Sequence, residues 1–285
     1  MEFNKNLSDY IGSICQVGGI KRYQLVEGKA KGIEICEFNN GNGLVFEVVI
    51  DRCMDICKCS FKGNSIAYIS KSSLTSPYYA DRNGYEWMKS FFAGLFTTCG
   101  LINAGEPSEY GGRNYGLHGD ISNTPAENVS LCQQWDGQEF IMSASGQMRN
   151  TVMLFEDLML ERKIKCKLGL NEISVCDKIT NEGNKKEPLM VAYHYNFGYP
   201  LINENSDIYI NSDEIIPFDD NSKGLLNEWD KFLGPESGVD AAYFHKFNSL
   251  EHKNTGSFLI VNHNVEPEFG VEVIFNSDIF NLCLQ

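Results

Sequence analysis

The stretch "RKIKCKLGLNEISVCDKIT" constrains this chain more than any other. Ile164, Cys166 and Leu168 alternate with lysines, the run turns at "LGLNE", and a second extended segment comes after it. Such alternation predicts a strand with one face in a core and the other in water. The segments "GIEICEF", "GLVFEVVID", "SIAYIS", "ENVSLCQQW", "QEFIMSASGQM", "LMVAYHYNFG", "SDIYINSDEI", "GSFLIVNH" and "GVEVIFN" are also short and mostly rich in β-branched or aromatic residues, and several of them alternate. Turn residues such as "NNGNG", "DGQ" and "NEGNKK" separate many of these segments. Helix signals are few: "SDYIGSICQVG" after a Ser8 cap, and "PESGVDAAYFHK". The fold class this predicts is mainly β, a large antiparallel β-sandwich or barrel. No repeat stands out and no Pro- or Ser-rich linker divides the chain, so residues 1–285 are expected to form a single domain.

Net charge of −14 argues against a nucleic-acid surface, which needs clustered Lys and Arg, and disfavours an anionic membrane surface. The N-terminus carries no basic segment followed by an apolar run, and no apolar stretch is long enough to cross a membrane as a helix. A cytoplasmic protein is expected. Ten cysteines are many for this length, with a cluster at Cys53, Cys57 and Cys59. Cys57 and Cys59, two apart, are expected on one strand face. No partner Cys or His pair lies at zinc spacing. The cysteines therefore read as reduced thiols that pack as small hydrophobes, with no metal site.

Two of the five histidines stand in unusual settings. His118 lies between Gly116 and Gly119 in "YGLHGD", and His194 lies in "VAYHYNFGYP". Either can serve as acid, base or structural donor near neutrality. Alternation places Met190, Ala192, His194 and Asn196 on one strand face and Val191, Tyr193, Tyr195 and Phe197 on the other. In "VVIDRCMDICKC", Arg52 can clamp a ligand oxygen or pair with Asp at a strand end. Residues 72–114 hold seven Phe or Tyr, one Trp and six Gly, which suits either an aromatic cleft lining or a loop that caps a sandwich. Cys99, in "TTCGL", reads as packing.

"DRCMDI", "GLFTTCGLINAGEP", "GLHGDISNTPAENV" and "YHYNFGYPLI" occur in this order. Together they resemble the aldose 1-epimerase-like branch of the galactose mutarotase superfamily, in a bacterial group catalogued as a domain of unknown function. The resemblance runs from about Asp51 to the end of the chain. It implies a galactose mutarotase-like β-supersandwich and an isomerase that interconverts the α and β anomers of an aldose or aldose derivative. It implies general acid/base catalysis, a small-molecule sugar as partner and no cofactor. His118 matches the histidine of the family's Leu-His-Gly motif, which helps bind the ring oxygen. His194 matches that of the His-x-x-Phe motif, which acts as general acid on the ring oxygen. Arg52, Asn196, Asp120, Arg113 and His245 are carried as substrate-binding candidates. His252 and His263 are expected to have no role. A homodimer is compatible with exposed strand edges.

The pattern departs at the general base. Relatives carry a glutamate in a Glu-Pro motif after a Trp-containing strand, and this chain ends at "VEVIFNSDIFNLCLQ". Glu106, Glu187 and Glu266 each precede a proline, but at the wrong place in the order. Asp219, Asp220 and Glu268 are poor substitutes. The expectation is a chain shortened at its C-terminus, with the base beyond Gln285, that binds sugar better than it turns it over. The other reading is a non-catalytic sugar-binding or sensing protein on the same scaffold.

Overall fold

The alternating segments become antiparallel ladders. Asp157–Lys167 pairs with Glu139–Thr151 on one side and Ser174–Asn181 on the other, and Glu127–Asp136 adds a fourth strand. Ile164, Cys166 and Leu168 are buried, as the alternation requires, while Lys163 and Lys165 are exposed. The computed structural model describes residues 3–235, 241–247, 254–266 and 268–285. It comprises two compact units, Met1–Phe197 and Gly198–Gln285.

In the first unit a second sheet runs in the order Gly19–Gln24, Glu34–Asn39, Leu44–Val49, Asp55–Phe61, Phe96–Leu101 and Met190–Tyr195, with Asn64–Ser65 paired to Asp55–Phe61. The core holds Phe38 stacked on Phe46 with ring centroids 4.6 Å apart, Ile56, Phe96 and Leu101 from this sheet, and Met142, Ala144, Met148 and Leu160 from the four-stranded one. Gly146 allows a close approach, since a β-carbon there would lie 2.7 Å from the Met54 sulfur.

A buried ion cluster crosses this core. Arg162 donates from Nε and Nη2 to Asp177 (2.9 and 2.6 Å), from Nη1 to Asp55 (2.8 Å) and the Cys53 carbonyl (3.0 Å), and from Nη2 to Thr98 Oγ1 (2.8 Å). Thr98 donates through its amide and hydroxyl to Asp55, and the Tyr193 hydroxyl donates to Asp177. Burial disfavours the Arg162 charge, but Asp177 and Asp55 more than offset it and hold its pKa above the usual value. Burial pushes the Asp55 carboxyl up, against Arg162 and Thr98. The cluster joins five strands, including the one that carries His194.

Three expectations are corrected. "SDYIGSICQVG" forms two short 3-10 turns, Lys5–Asp9 capped by Asn4 and Ile14–Gln16 capped by Ser13, and Ser8 caps neither. Within "PESGVDAAYFHK", Tyr243–Lys246 is a strand, because it closes a ladder between Glu214–Pro217 and Leu282–Leu284; residues 236–240 lie outside the described residues. Cys57 and Cys59 do not share a face. The Leu44–Val49/Asp55–Phe61 ladder shifts register between Glu47 and Val48. Such a bulge reverses the facing of the residues beyond it. Cys57 packs with Ile33, Ile35, Val49 and Phe92, whereas Cys59 pairs across from the core residue Phe46. All ten cysteines are unpaired.

The second unit has two three-stranded sheets. Ser206–Ile210, Thr255–Asn262 and Phe269–Asn276 form one, and Glu214–Pro217, Tyr243–Lys246 and Leu282–Leu284 form the other. Asp219 caps the short helix Asp220–Gly224 by accepting from the Ser222 amide and hydroxyl.

Candidate functional site

The aromatic stretch 72–114 is not a loop throughout. Phe96–Leu101 is a fully buried strand beside Met190–Tyr195, and it faces His194 with Thr97 and Ala192 with Cys99. Gly100 also bridges Gly119. This sets "LHG" against the strand that neighbours the one carrying His194. A β-carbon at Gly119 would lie 2.4 Å from the Gly100 oxygen and 2.5 Å from the Asn103 oxygen, so only glycine permits the approach.

The two histidines meet. Their ring centroids are 5.6 Å apart at an interplanar angle of 82°. Trp87 lies 4.7 Å from the His118 ring, Phe91 lies 5.3 Å from the His194 ring, and Trp87 stacks on Phe91 at 4.5 Å. Cys99, Leu117 and Trp87 pack together beneath them, and burial pushes the Cys99 thiol far above its ordinary value. Cys99 is packing, not a nucleophile.

His118 is held in the left-handed region at φ 58°. The Gly105 amide donates to its Nδ1 at 3.1 Å, and the His118 amide donates to the Gly105 carbonyl at 2.8 Å. An accepting Nδ1 carries no proton, so the neutral ring is an Nε2–H tautomer. Burial, reinforced by His194, lowers the His118 pKa to about 4. Burial also lowers that of His194, with the nearby Asn196 amide acting in the opposite direction. The Asn196 amide itself donates to the carbonyls of Ala93 and His194. His194 Nδ1 is buried and has no hydrogen-bond partner among the described residues.

The His118 shift makes stability depend on pH. The folded ring is depressed from 6.5 to about 4, so the neutral form is favoured on folding. The resulting stability is present above the unfolded value and is lost as pH falls from 6.5 towards 4. The full effect is about 3 kcal/mol, and solvent at a partly exposed ring reduces it to roughly 1–2 kcal/mol. Urea unfolding at pH 7 and pH 4.5 is expected to show that loss in the natural chain and a smaller one in His118→Gln; equal losses would contradict it.

The other candidates have different surroundings. Arg52 is wholly buried: Nε donates to the Ser122 carbonyl (2.7 Å), Nη1 to Thr75 (2.6 Å), and both Nη atoms to Ser90. Burial lowers its pKa to about 10. It is not presented to a ligand. It pins three loop carbonyls under the site, and Ser122 in turn receives the Trp87 indole N–H at 3.0 Å. Asp120 adjoins Gly119 and faces Arg82 at 3.7 Å, with burial pushing its carboxyl up. Arg113 pairs with the buried Glu156 and lies over Phe155 and Tyr115 at 4.7 and 5.2 Å. His245 belongs to the second unit. It is fully buried there, with Nδ1 on Ser212 (3.0 Å), Nε2 on Gln285 (2.9 Å) and Trp229 at 5.0 Å, so neither ring nitrogen is left for a ligand. His263 contacts Asp207 and Glu268, which ties up that carboxylate; His252 lies outside the described residues.

Gly105 falls within "GLFTTCGLINAGEP", but nothing in that motif marks its contact with His118. No motif singles out Trp87 or Phe91, and the aromatic bias of residues 72–114 is their only signal in the sequence. Arg162 has a clearer one, a charged residue in phase with Ile164, Cys166 and Leu168.

These features define a mainly β, galactose mutarotase-like fold with a histidine pair in an aromatic setting. A "putative aldose 1-epimerase" from Klebsiella pneumoniae subsp. pneumoniae MGH 78578 shares the fold at TM-score 0.86 and 23% identity, over 93% of this chain and 69% of its own. A galactose mutarotase-like protein from Clostridium acetobutylicum matches at TM-score 0.53 and 12% identity, over 94% of each chain. Galactose 1-epimerase from Lactobacillus acidophilus NCFM matches at 0.50 and 14%, over 86% of this chain and 80% of its own. No curated protein matches the sequence. Residues 30–284 match the family described as a domain of unknown function, DUF4432, and the chain belongs to it. No helix among the described residues is long and apolar enough to cross a membrane.

Proposed function

We propose that this chain is a sugar isomerase that exchanges the α and β anomers of a free aldose or aldose derivative. The observation that carries the reading is the His118–His194 pair, 5.6 Å apart, with no hydrogen bond to the Nε2 of either ring among the described residues. His118 offers Nε2–H to the sugar ring oxygen or its neighbour. His194 gives the ring oxygen a proton as the ring opens. The half-buried Phe91, backed by the buried Trp87, sets an apolar ring beside the pair, which suits the C–H face of a pyranose. Asn196 and Arg52 act from behind the site by holding backbone. Asp120 and Arg113 are the polar groups at its margin.

The test is saturation-transfer NMR at the anomeric protons of a panel of free aldoses. With His194 lowered by burial, its acid form is the minor one at pH 7. Enzymatic exchange is therefore expected to slow as pH rises from 6 to 8, by up to about tenfold per unit. Exchange no faster than buffer at every pH would end the isomerase reading. The same lowered pKa values favour a second reading, a binding protein whose two neutral imidazoles only hydrogen-bond a sugar. Saturable sugar binding without exchange would establish it.

A further inference from the structure

Glu106 lies in the "NAGEP" loop, out of sequence order for a general base. The fold nevertheless closes this loop on His118. Gly105 exchanges two hydrogen bonds with His118, one to the ring and one to the backbone. The Asn103 amide holds the Glu106 carbonyl at 3.1 Å and the Gly116 carbonyl at 2.9 Å, which locks both sides of the motif together. From the other side the Leu117 amide donates to the Gly84 carbonyl, placing Tyr85 next to the same segment. The Tyr85 hydroxyl donates to Glu106 Oε2 at 2.5 Å. Glu106 Oε1 makes no hydrogen bond among the described residues, and the side chain is exposed. His118 thus meets His194 through its ring and, through Gly105, the loop that carries a carboxylate oriented by a phenol.

We infer that Glu106, oriented by Tyr85, is the carboxylate that takes the anomeric proton in this chain. This rests on the isomerase reading above. As the C1–O5 bond breaks, its electron pair goes to O5, which takes a proton from His194. The anomeric hydroxyl gives its proton to Glu106, and its O–H electrons form the C1 carbonyl. Rotation about C1–C2 and the reverse transfers close the ring on the other face and restore both groups. Nothing is consumed. The charge of Glu106 already acts on the His118 ring, against the larger effect of burial. Tyr85 is a positioning residue: its hydrogen bond fixes the direction in which the carboxylate points.

The experiment compares the natural chain with Glu106→Gln and Tyr85→Phe. Glu106→Gln is expected to slow anomer exchange by at least about 100-fold while changing sugar affinity less than about threefold. The His118 titration, followed by NMR, is expected to move further down when that charge is removed. Tyr85→Phe is expected to lower the kcat for anomer exchange by about tenfold with KM unchanged, as loss of carboxylate orientation requires. Natural-chain exchange that persists in Glu106→Gln overturns the assignment and leaves the isomerase reading standing. A His118 titration unmoved by Glu106→Gln also overturns it. A natural chain that exchanges no aldose ends the isomerase reading, and this assignment with it.

Discussion

Arg162→Met is expected to destabilise the first unit by about 3–5 kcal/mol, the usual cost of removing one partner from a buried ion pair. The guanidinium makes five hydrogen bonds and is fully buried, as is Asp55. Methionine replaces the volume but leaves two carboxylates, the Cys53 carbonyl and the Thr98 hydroxyl without their donor. The deficit should depend on pH in a defined direction. Without Arg162, the Asp55 carboxyl sits further above its unfolded value, so its protonated form is favoured on folding. The variant should therefore be nearest to the natural chain in acid and fall behind as pH rises through the carboxylate range. Urea unfolding from pH 4.5 to 7.5 measures this. A variant within about 1 kcal/mol of the natural chain at pH 7 would show that the cluster contributes little. Because Tyr193 bonds Asp177, hydrogen exchange in Met190–Tyr195 should also quicken.

The second large effect falls on chemistry. His194→Gln is expected to reduce anomer exchange by about 10²–10⁴-fold, the range for loss of a positioned acid. Its effect on folding should be small, within about 1 kcal/mol. The ring is only partly buried, and its Nδ1 has no hydrogen-bond partner to lose. Exchange rates and thermal unfolding on the same sample separate the two. Undiminished exchange would remove His194 from the proton path. Lost exchange with a collapsed melting temperature would instead make it a structural residue.

Much of the fold is legible in the sequence because a strand with one buried face writes itself into alternation. The runs around Ile164, Val191 and Leu259 lie within strands, with Ile164 buried as the alternation requires. Strands without that pattern are not legible. Phe96–Leu101 is buried at every position and so shows no alternation. Tyr243–Lys246 is extended because two neighbours pair with it. The Cys57–Cys59 facing fails for a related reason, since a bulge depends on the partner strand.

The sequence by itself determined the fold class, the family resemblance and the two histidines most worth attention. Short-range periodicity and ordered motifs carry that information locally. Only the tertiary structure decided which candidates share a place. It took Arg52 away from any ligand by burying its guanidinium on three carbonyls, and it closed both nitrogens of His245. It brought Glu106, out of place by its order in the chain, to the backbone that holds His118. A side chain's chemistry is local, but its burial and partners are set by strands far away in sequence. That is why residue type suggested the players, and packing alone assigned their positions.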